Sequence, residues 1–445
     1  MDRRWIVPAA GAVAVLLVVT PMLLSHFGGD RDEVVFWAMG SEAEVADSLL
    51  DGFRAAEPGI AVHVQRIPWS AAHEKLLTAY VAGAMPDVFQ IGTTWVPEFA
   101  ELGALEPMDE RIASLPGGGK TFFPGALDTC VIGAKALAVP WYIDTRILFY
   151  RQDLLREAGV AEPPHEWQQW RDAMQKFRDA GDPAHPRYGA FLPIDEWQVP
   201  VALVLQQGGS LLRDNDCYGN MQSAEARRAL GFYVDLFHSG LVPQRSAAQI
   251  ANLYREFAQG YFAYFVSGPW SLSEVAKVFP VYALHDKWET APLPAPHAAE
   301  GRFGVSIAGG ADLAISPASP RKEKAWKLVR YLTAGHGAWD FRKKAEALPA
   351  RREVYDHDRM SYQDRLQLSF VSQIENLATP PKIPEWERIA AKLTLHLERI
   401  VRGDATMDQG LADLDYDIDS ILEKRRSLLA SRGTPCTTPG PGART

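Results

Sequence analysis

Apolar and polar residues along the chain alternate between two repeating patterns. Residues 34–37 form a continuous apolar run, as buried strands do, and further strand-like runs lie at 60–64 and 87–91. The stretches between them carry apolar residues at helical spacing, and Ser41 followed by Glu44 predicts a capping box that starts the first helix. This order predicts an α/β fold in which helices cover a mainly parallel sheet, with ligands bound at the carboxyl ends of its strands.

The same alternation restarts after Pro140 and predicts a second lobe that begins near residue 146. The predicted elements are a strand at 147–150, helices near 165–180, 196–207 and 223–239, and a strand at 261–266. From about residue 320 onward the apolar spacing is mostly helical. The end of the chain is rich in Pro, Gly and Thr, so residues 429–445 are predicted to be a disordered tail.

An export segment is predicted ahead of these elements, within residues 1–30. Arg3 and Arg4 precede an apolar run at 5–24, which is the order of charged and apolar regions in a signal peptide. No clear cleavage site follows, and a run of this length can also span a bilayer. A cleaved signal and a retained N-terminal membrane anchor are therefore both open.

Charge and composition narrow the class of protein. The chain has 445 residues and a net charge of -9, and 23% of its residues are charged. A nucleic-acid partner is disfavoured because phosphate binding requires a cationic face. The length is sufficient for more than one hydrophobic core, as two lobes require.

The cysteines allow more than one arrangement. Cys130, Cys217 and Cys436 show neither a CxxC motif nor metal-ligand spacing. In an oxidising compartment one pair can form a disulfide, and Cys130–Cys217 is one such pair. Unpaired buried thiols with a separate tail cysteine are the alternative.

Enzyme motifs receive little support from the sequence. The GGGKT run at 117–121 lacks a glycine at Ser114 that a phosphate-binding loop requires, and the GVSIA run at 304–308 ends in Ala where the nucleophile elbow has Gly. The 11 histidines are dispersed, with no HExxH. No metal, cofactor or catalytic residue is predicted.

Several stretches in a fixed order resemble family 1 extracellular solute-binding proteins, which include the maltose- and trehalose-binding proteins of bacterial ABC importers. The stretches lie at 82–110, 136–160, 163–170, 257–272, 309–316 and 348–355. The resemblance covers about residues 34–350, whereas the lipoprotein cysteine usual in the family is missing.

This resemblance implies a two-lobed, type II periplasmic-binding-protein-like α/β fold with a hinge between the lobes. The implied boundaries are 31–145 plus 303–349 for lobe one and 146–302 plus 350–428 for lobe two. It further implies a monomer in the periplasm or at the outer face of the cytoplasmic membrane, which binds a sugar and delivers it to the transmembrane subunits of an ABC permease. An exported glycoside-processing enzyme, or a binding protein for glycerol phosphate or a polyamine, is the alternative.

Candidate ligand-binding residues follow the strands of lobe one. A sugar offers apolar ring faces and hydroxyl groups, so its site needs aromatic planes and paired hydrogen-bonding groups. Glu42 follows the first strand, where it can bind a ligand or only stabilise the helix N-terminus. Gln90, Thr94 and Trp95 lie at the end of the third strand, and core packing is the alternative for Trp95.

Further candidates lie at the lobe crossings and, by resemblance, in lobe two. Trp141, Tyr142 and Asp144 precede the first crossing, and Asp144 can bind a ligand or pair with Arg146. The remaining candidates are Glu196 and Trp197, Trp270 of the Gly-Pro-Trp element, Gly309 and Gly310 through their backbone amides, and Arg351, for which a hinge salt bridge is the alternative.

Overall fold

The computed structural model describes residues 33–182, 186–279, 284–297, 303–345, 347–355, 362–434 and 436. The predicted export segment therefore lies outside the described residues. Among the helices that are described, none is long and apolar enough to span a bilayer.

Helices and strands alternate along the chain, as the sequence pattern predicts. The helices are α1 (Gly40–Ala56), α2 (Trp69–Val81), α3 (Val96–Glu101), α4 (Asp109–Ala113), α5 (Pro124–Thr129), α6 (Gln152–Glu157), α7 (Trp167–Asp179), α8 (Gln198–Gln206), α9 (Ala224–His238), α10 (Leu253–Ala258), α11 (Ser271–Val278), α12 (Leu284–Lys287), α13 (Lys322–Thr333), α14 (Gly335–Ala345), α15 (Tyr362–Ile374), α16 (Trp386–Arg402), α17 (Met407–Ile421) and α18 (Glu423–Ser431). The strands are β1 (Val34–Met39), β2 (Val62–Ile67), β3 (Val88–Gly92), β4 (Val131–Ile132), β5 (Lys135–Ala136), β6 (Val139–Asp144), β7 (Ile147–Tyr150), β8 (Tyr188–Phe191), β9 (Leu212–Arg213), β10 (Tyr218–Gly219), β11 (Phe262–Ser267), β12 (Glu289–Ala291), β13 (Ser306–Ile307), β14 (Gly309–Ile315), β15 (Leu348–Pro349) and β16 (Leu377–Ala378).

The larger sheet organises lobe one. Within the described residues it has six strands, in the order β15-β6-β14-β3-β1-β2. Strand β1 pairs in parallel with both β2 and β3, whereas β14 runs antiparallel to β3 and β6, and β15 runs antiparallel to β6. Strands β1, β2, β3 and β6 thus share one direction, so their carboxyl ends lie at one edge of the sheet.

The smaller sheet organises lobe two. Its order over the described residues is β12-β7-β11-β8, with β11 parallel to β8 and β7 antiparallel to both β11 and β12. Apolar residues of α7, α8, α9, α16 and α17 join one core with this sheet. The structure is thus the two-lobed, type II periplasmic-binding-protein-like fold that the sequence predicts.

The chain passes between the two sheets three times within the described residues. It leaves the larger sheet at the end of β6, returns from β12 to β14, and leaves again after β15. A short parallel ladder between β13 and β16 lies beside these crossings. Ser306 fastens the first crossing to the second, because its hydroxyl accepts from the Arg146 backbone N–H at 3.2 Å and donates to the Arg146 carbonyl at 2.8 Å.

The first helix follows the predicted pattern except at its N-terminus. Leu49 and Phe53 are buried against the larger sheet, as their spacing predicts. The predicted capping box of Ser41 and Glu44 does not form, because the helix begins earlier, at Gly40, and the residue at its N-cap is Met39. The Ser41 hydroxyl instead donates to the carboxylate of Glu42 at 3.4 Å.

Part of the predicted disordered tail over 429–445 is described by the structure. Helix α18 continues through Ser431, and the Arg432 guanidinium donates to Glu101 at 3.0 Å. Residue 435 and residues 437–445 lie outside the described residues.

The disulfide joins Cys217 to Cys436, so the pairing Cys130–Cys217 that the sequence also allows does not form, and Cys130 is a buried free thiol. The bonded cysteines are 219 residues apart, so their spacing in the sequence does not indicate that they pair.

A buried carboxyl group lies at the centre of the larger sheet. Asp312, on β14, is almost fully buried and accepts from the Thr129 hydroxyl at 3.4 Å. Burial raises the pKa of Asp312 to about 8, because the ionised form loses its hydration. The folded protein therefore holds a proton here at neutral pH that an unfolded chain releases.

We expect this proton to make the free energy of unfolding fall as pH rises from about 4 to about 8. The folded state binds more protons than the unfolded state in this window, and one such group contributes at most about 1.4 kcal/mol per pH unit. Asp312→Asn should reduce that slope in urea titrations run from pH 5 to pH 9. The exposed Asp404→Asn serves as the control, and an unchanged slope in Asp312→Asn would contradict the assignment.

Candidate functional site

A cleft of about 490 Å³ lies where the chain crosses between the two sheets. Its volume is within the range of about 300–1,000 Å³ that is usual for small-molecule sites. Its lining residues are Ser41, Glu42, Trp69, Gly92, Thr93, Thr94, Trp95, Tyr142, Asp144, Thr145, Arg146, Trp197, Gln198, Trp270, Ile307, Gly309 and Gly310. They come from both lobes and from the first and second crossings, so a molecule in the cleft can contact both lobes and these two crossings.

Glu42 places a carboxylate in the cleft at the carboxyl edge of the larger sheet. It follows β1 directly in the first turn of α1 and is 7% exposed. Its Oε1 atom accepts from the Ser41 hydroxyl at 3.4 Å, and the side chains of Gln90, Tyr142 and Trp69 also interact with its carboxyl group. Burial raises the pKa of Glu42, because ionisation costs hydration, and these interactions oppose the rise only in part. A ligand hydroxyl that donates to this buried carboxylate lowers the cost of its ionisation further.

Trp69 and Trp95 form an aromatic wall on the lobe-one side. Their rings meet edge to face with centroids 5.5 Å apart, and the ring of His73 packs against Trp95 at 5.1 Å. His73 is held by Glu98, with Nε2 and a carboxylate oxygen 2.6 Å apart, and this hydrogen bond raises the pKa of His73. The wall is therefore fixed from behind and presents apolar surface to the cleft.

Trp270 supplies the facing aromatic surface from lobe two. It follows β11 and remains 42% exposed. A Cβ atom at Gly268 would lie only 2.0 Å from Cζ3 of Trp270, so the glycine is what allows the ring to lie against the backbone. The guanidinium of Arg146 lies over the ring, 4.8 Å from its centroid.

Asp144 and Arg146 place a charge pair at the first crossing. Nη1 of Arg146 donates to Oδ1 of Asp144 at 2.7 Å, and both side chains remain partly accessible from the cleft. Burial raises the pKa of Asp144, although the nearby guanidinium opposes that shift. The sequence allows Asp144 either to bind a ligand or to pair with Arg146. Its position is compatible with both roles, since it lines the cleft and pairs with Arg146.

Gly309 and Gly310 form part of the floor of the cleft. They pair with Asp144 and Ile143 where β14 runs beside β6. Gly310 has a φ of +120°, and a Cβ there would lie 2.2 Å from the carbonyl oxygen of Tyr142. Only glycine fits this approach. Both glycines line the cleft, where their backbone amides stay predicted contacts for a bound molecule.

Thr94 and Trp197 tie the cleft to helix α16. The Thr94 hydroxyl donates to Oε1 of Glu387 at 2.5 Å, and the ring of Trp197 meets that of Trp386 edge to face at 5.1 Å. Both partners lie in the first turn of α16. The C-terminal helices thus support cleft residues although they contribute none of its described lining.

Some predicted site residues lie outside the lining. Gln90 is fully buried behind Glu42; its Oε1 accepts from the Met39 backbone N–H at 2.7 Å and its Nε2 donates to the Tyr142 hydroxyl at 3.3 Å. It therefore orients Tyr142 and the start of α1. Glu196 does not line the cleft either, although its charge interacts with Arg146 and burial raises its pKa.

The predictions that Trp141 and Arg351 face the cleft are wrong. Trp141 is 1% exposed and stacks on Phe341 with centroids 4.5 Å apart. Arg351 is also buried; its Nη2 donates to the carbonyl of Pro116 at 2.9 Å and its Nε lies 2.9 Å from Glu353. Both side chains stabilise the core of lobe one near the hinge.

Sequence analysis missed Trp69, and it treated Arg146 only as a partner of Asp144. Trp69 starts a helix directly after β2, so the argument that selected Glu42 after β1 applies to it equally. Ser41, Gln198 and Ile307 carry no comparable signal in the sequence. Their place in the lining depends on how the two lobes meet.

The cleft combines flat apolar surfaces with carboxylates, a guanidinium and exposed backbone. Such a set binds a neutral molecule that has both hydroxyl groups and CH-rich faces. No cluster of His, Cys, Asp or Glu suited to a metal ion lies in the part of the chain that the structure describes.

Substituting Gly268 tests whether the ring of Trp270 packs on the backbone at this glycine. Gly268→Ala should displace the indole ring or lower the free energy of unfolding by about 1–3 kcal/mol, because the new methyl group overlaps the ring. Near-UV circular dichroism and urea unfolding report these two effects. Gly231→Ala in α9 is the matched control, since its Cβ would meet no atom within 4 Å. Spectra and stability identical to wild type in Gly268→Ala would contradict the proposed packing.

Comparison with known proteins agrees with this architecture. The profile of the bacterial extracellular solute-binding protein family matches residues 40–334. The sugar-binding protein MalE of Xanthomonas citri is 40% identical with a TM-score of 0.83, over 89% of this chain and 99% of that one. A solute-binding protein of Thermotoga lettingae bound with α-D-tagatose is 27% identical with a TM-score of 0.74, over 88% of this chain and 100% of that one. The diacetylchitobiose-binding protein DasA of Streptomyces coelicolor is 23% identical, over 91% of this chain and 96% of the relative. The chain belongs to the bacterial extracellular solute-binding protein family.

Proposed function

We propose that the cleft binds a sugar, with a disaccharide favoured, and that the protein carries it to the transmembrane subunits of an ABC permease. The observation that carries this proposal is the combination of aromatic surfaces on both lobes with the buried carboxyl group of Glu42, which lines the cleft. Apolar faces of a sugar stack on indole rings, and its hydroxyls donate to carboxylates. The names of the three relatives support the same ligand class.

Binding is coupled to closure of the lobes in this proposal. A ligand that touches both Trp95 in lobe one and Trp270 in lobe two stabilises the closed form over the open form. A shift from mostly open to mostly closed requires a differential affinity of about 5.5 kcal/mol. The permease then recognises the closed form.

The location and the lobe boundaries follow from the same proposal. The protein acts as a monomer in the periplasm or at the outer face of the cytoplasmic membrane, exported by the segment within residues 1–30. Lobe one comprises 31–145 plus 303–349, and lobe two comprises 146–302 plus 350–428. The positions of β6, β7, β14 and β15 on either side of the crossings support these limits.

A sugar panel tests the ligand class directly. A ligand present at about one hundred times its Kd should raise the free energy of unfolding by about 2.7 kcal/mol, which differential scanning fluorimetry detects as a higher Tm. Glycerol phosphate and a polyamine are the comparison ligands. A shift with one of these and with no sugar would overturn the sugar assignment, and turnover of the bound sugar would replace the carrier by an enzyme.

Glu42→Gln tests the carboxylate that carries the proposal. Loss of a charge-assisted hydrogen bond should weaken sugar binding by roughly tenfold to hundredfold, as measured by isothermal titration calorimetry. Glu44→Gln is the matched control, because Glu44 lies on the same helix and is exposed. Equal affinities for Glu42→Gln and wild type would remove Glu42 from the binding site.

A further inference from the structure

One face of the Trp270 ring lies beneath a side chain of the protein itself, while the residue remains 42% exposed. The Arg146 guanidinium lies 4.8 Å from the ring centroid, while the ring also packs closely on Gly268. Among the described lining residues, Arg146 is the only Lys or Arg. A sugar that stacks on this face of Trp270 therefore has to displace the guanidinium of Arg146.

The backbone of Arg146 is held in place by hydrogen bonds, so only its side chain can move away from Trp270. The hydroxyl of Ser306 holds both the N–H and the carbonyl of Arg146, on the strand that makes the second crossing. Asp144 accepts from Nη1 at 2.7 Å and is only two residues away along the chain. The guanidinium can therefore leave the ring of Trp270 while it keeps its ion pair with Asp144.

We propose that Arg146 is a specificity-determining residue that covers Trp270 in the empty cleft and is displaced by ligands that stack on this ring. A cation over an indole ring contributes enough to change affinity by roughly twofold to thirtyfold. Ligands that reach Trp270 bear this penalty and must recover it through stacking. Ligands that contact only the Trp69 and Trp95 wall do not displace Arg146. This inference rests on the proposed function, since it assumes that the ligand occupies the cleft between the lobes.

The variant that tests this proposal has to remove the guanidinium of Arg146 without leaving the carboxylate of Asp144 unpaired. Arg146→Met alone would leave the carboxylate of Asp144 without its partner, which would lower stability for an unrelated reason. Arg146→Met combined with Asp144→Asn keeps the pair neutral and close in volume. Glu196, whose charge also interacts with Arg146, is left unchanged in every variant.

A double-mutant cycle separates this role from direct ligand contact. The paired substitution is made in the wild-type background and in the Trp270→Ala background, and affinity for the tightest-binding sugar is measured by isothermal titration calorimetry. Asp144→Asn can remove a ligand contact in both backgrounds, so the difference between the backgrounds is the result that counts. We expect the paired substitution to favour binding by roughly twofold to thirtyfold more in the background that retains Trp270 than in Trp270→Ala. An equal change in both backgrounds, or a less favourable change where Trp270 is present, would overturn the proposal.

A ligand-free measurement keeps the result independent of the sugar assignment. Protein labelled with fluorotryptophan gives a ¹⁹F resonance for each indole, and Trp270→Phe identifies the one from Trp270. Its shift between H₂O and D₂O should increase in the paired variant, because removal of the guanidinium exposes the ring. An unchanged solvent shift would show that Arg146 does not cover Trp270. If the wild-type protein binds no sugar, the proposed function is wrong. The solvent shift still shows in that case whether Arg146 covers the ring of Trp270.

Discussion

The antiparallel pairing of β6 with β14 is the constraint on which the rest of the structure depends. These strands carry the first and second passages between the lobes, and their pairing places Gly309 opposite Asp144. The floor of the cleft and the hinge are thus the same piece of backbone. A ligand held on that floor contacts the crossing segments themselves, so the closure that we propose requires no separate relay between site and hinge.

Much of the architecture could be predicted, because it depends on local periodicity. The strand at Ile147–Tyr150 matches its prediction, and α7, α8 and α9 fall within the ranges that the apolar spacing indicates. The order of strands in each sheet could not be read in this way, since it depends on contacts between distant segments. The Cys217–Cys436 pairing escaped prediction for the same reason.

The candidate site shows where sequence reasoning fails residue by residue. Successive side chains on a strand point to opposite faces, so on β6 Tyr142 and Asp144 line the cleft whereas Trp141 is buried in the core. The sequence alone nominates all three residues as ligand contacts. Which of them face the cleft depends on the face of β6 to which each side chain points. Arg351 lies near the third crossing, as its position after β15 indicates, but its guanidinium binds the carbonyl of Pro116 and the carboxylate of Glu353 and not a group in the cleft.

The bond between Cys217 and Cys436 has a consequence for how the chain matures. The two cysteines are 219 residues apart, so Cys217 cannot form this bond until the segment that contains Cys436 has been made. Asp415 and Asp419 on α17 accept from backbone N–H groups of Met221 and Gly219, which brings the C-terminal helices onto the β9–β10 hairpin. Docking of these helices on the hairpin brings Cys436 towards Cys217, and the covalent link then keeps the segment after α18 attached to lobe two.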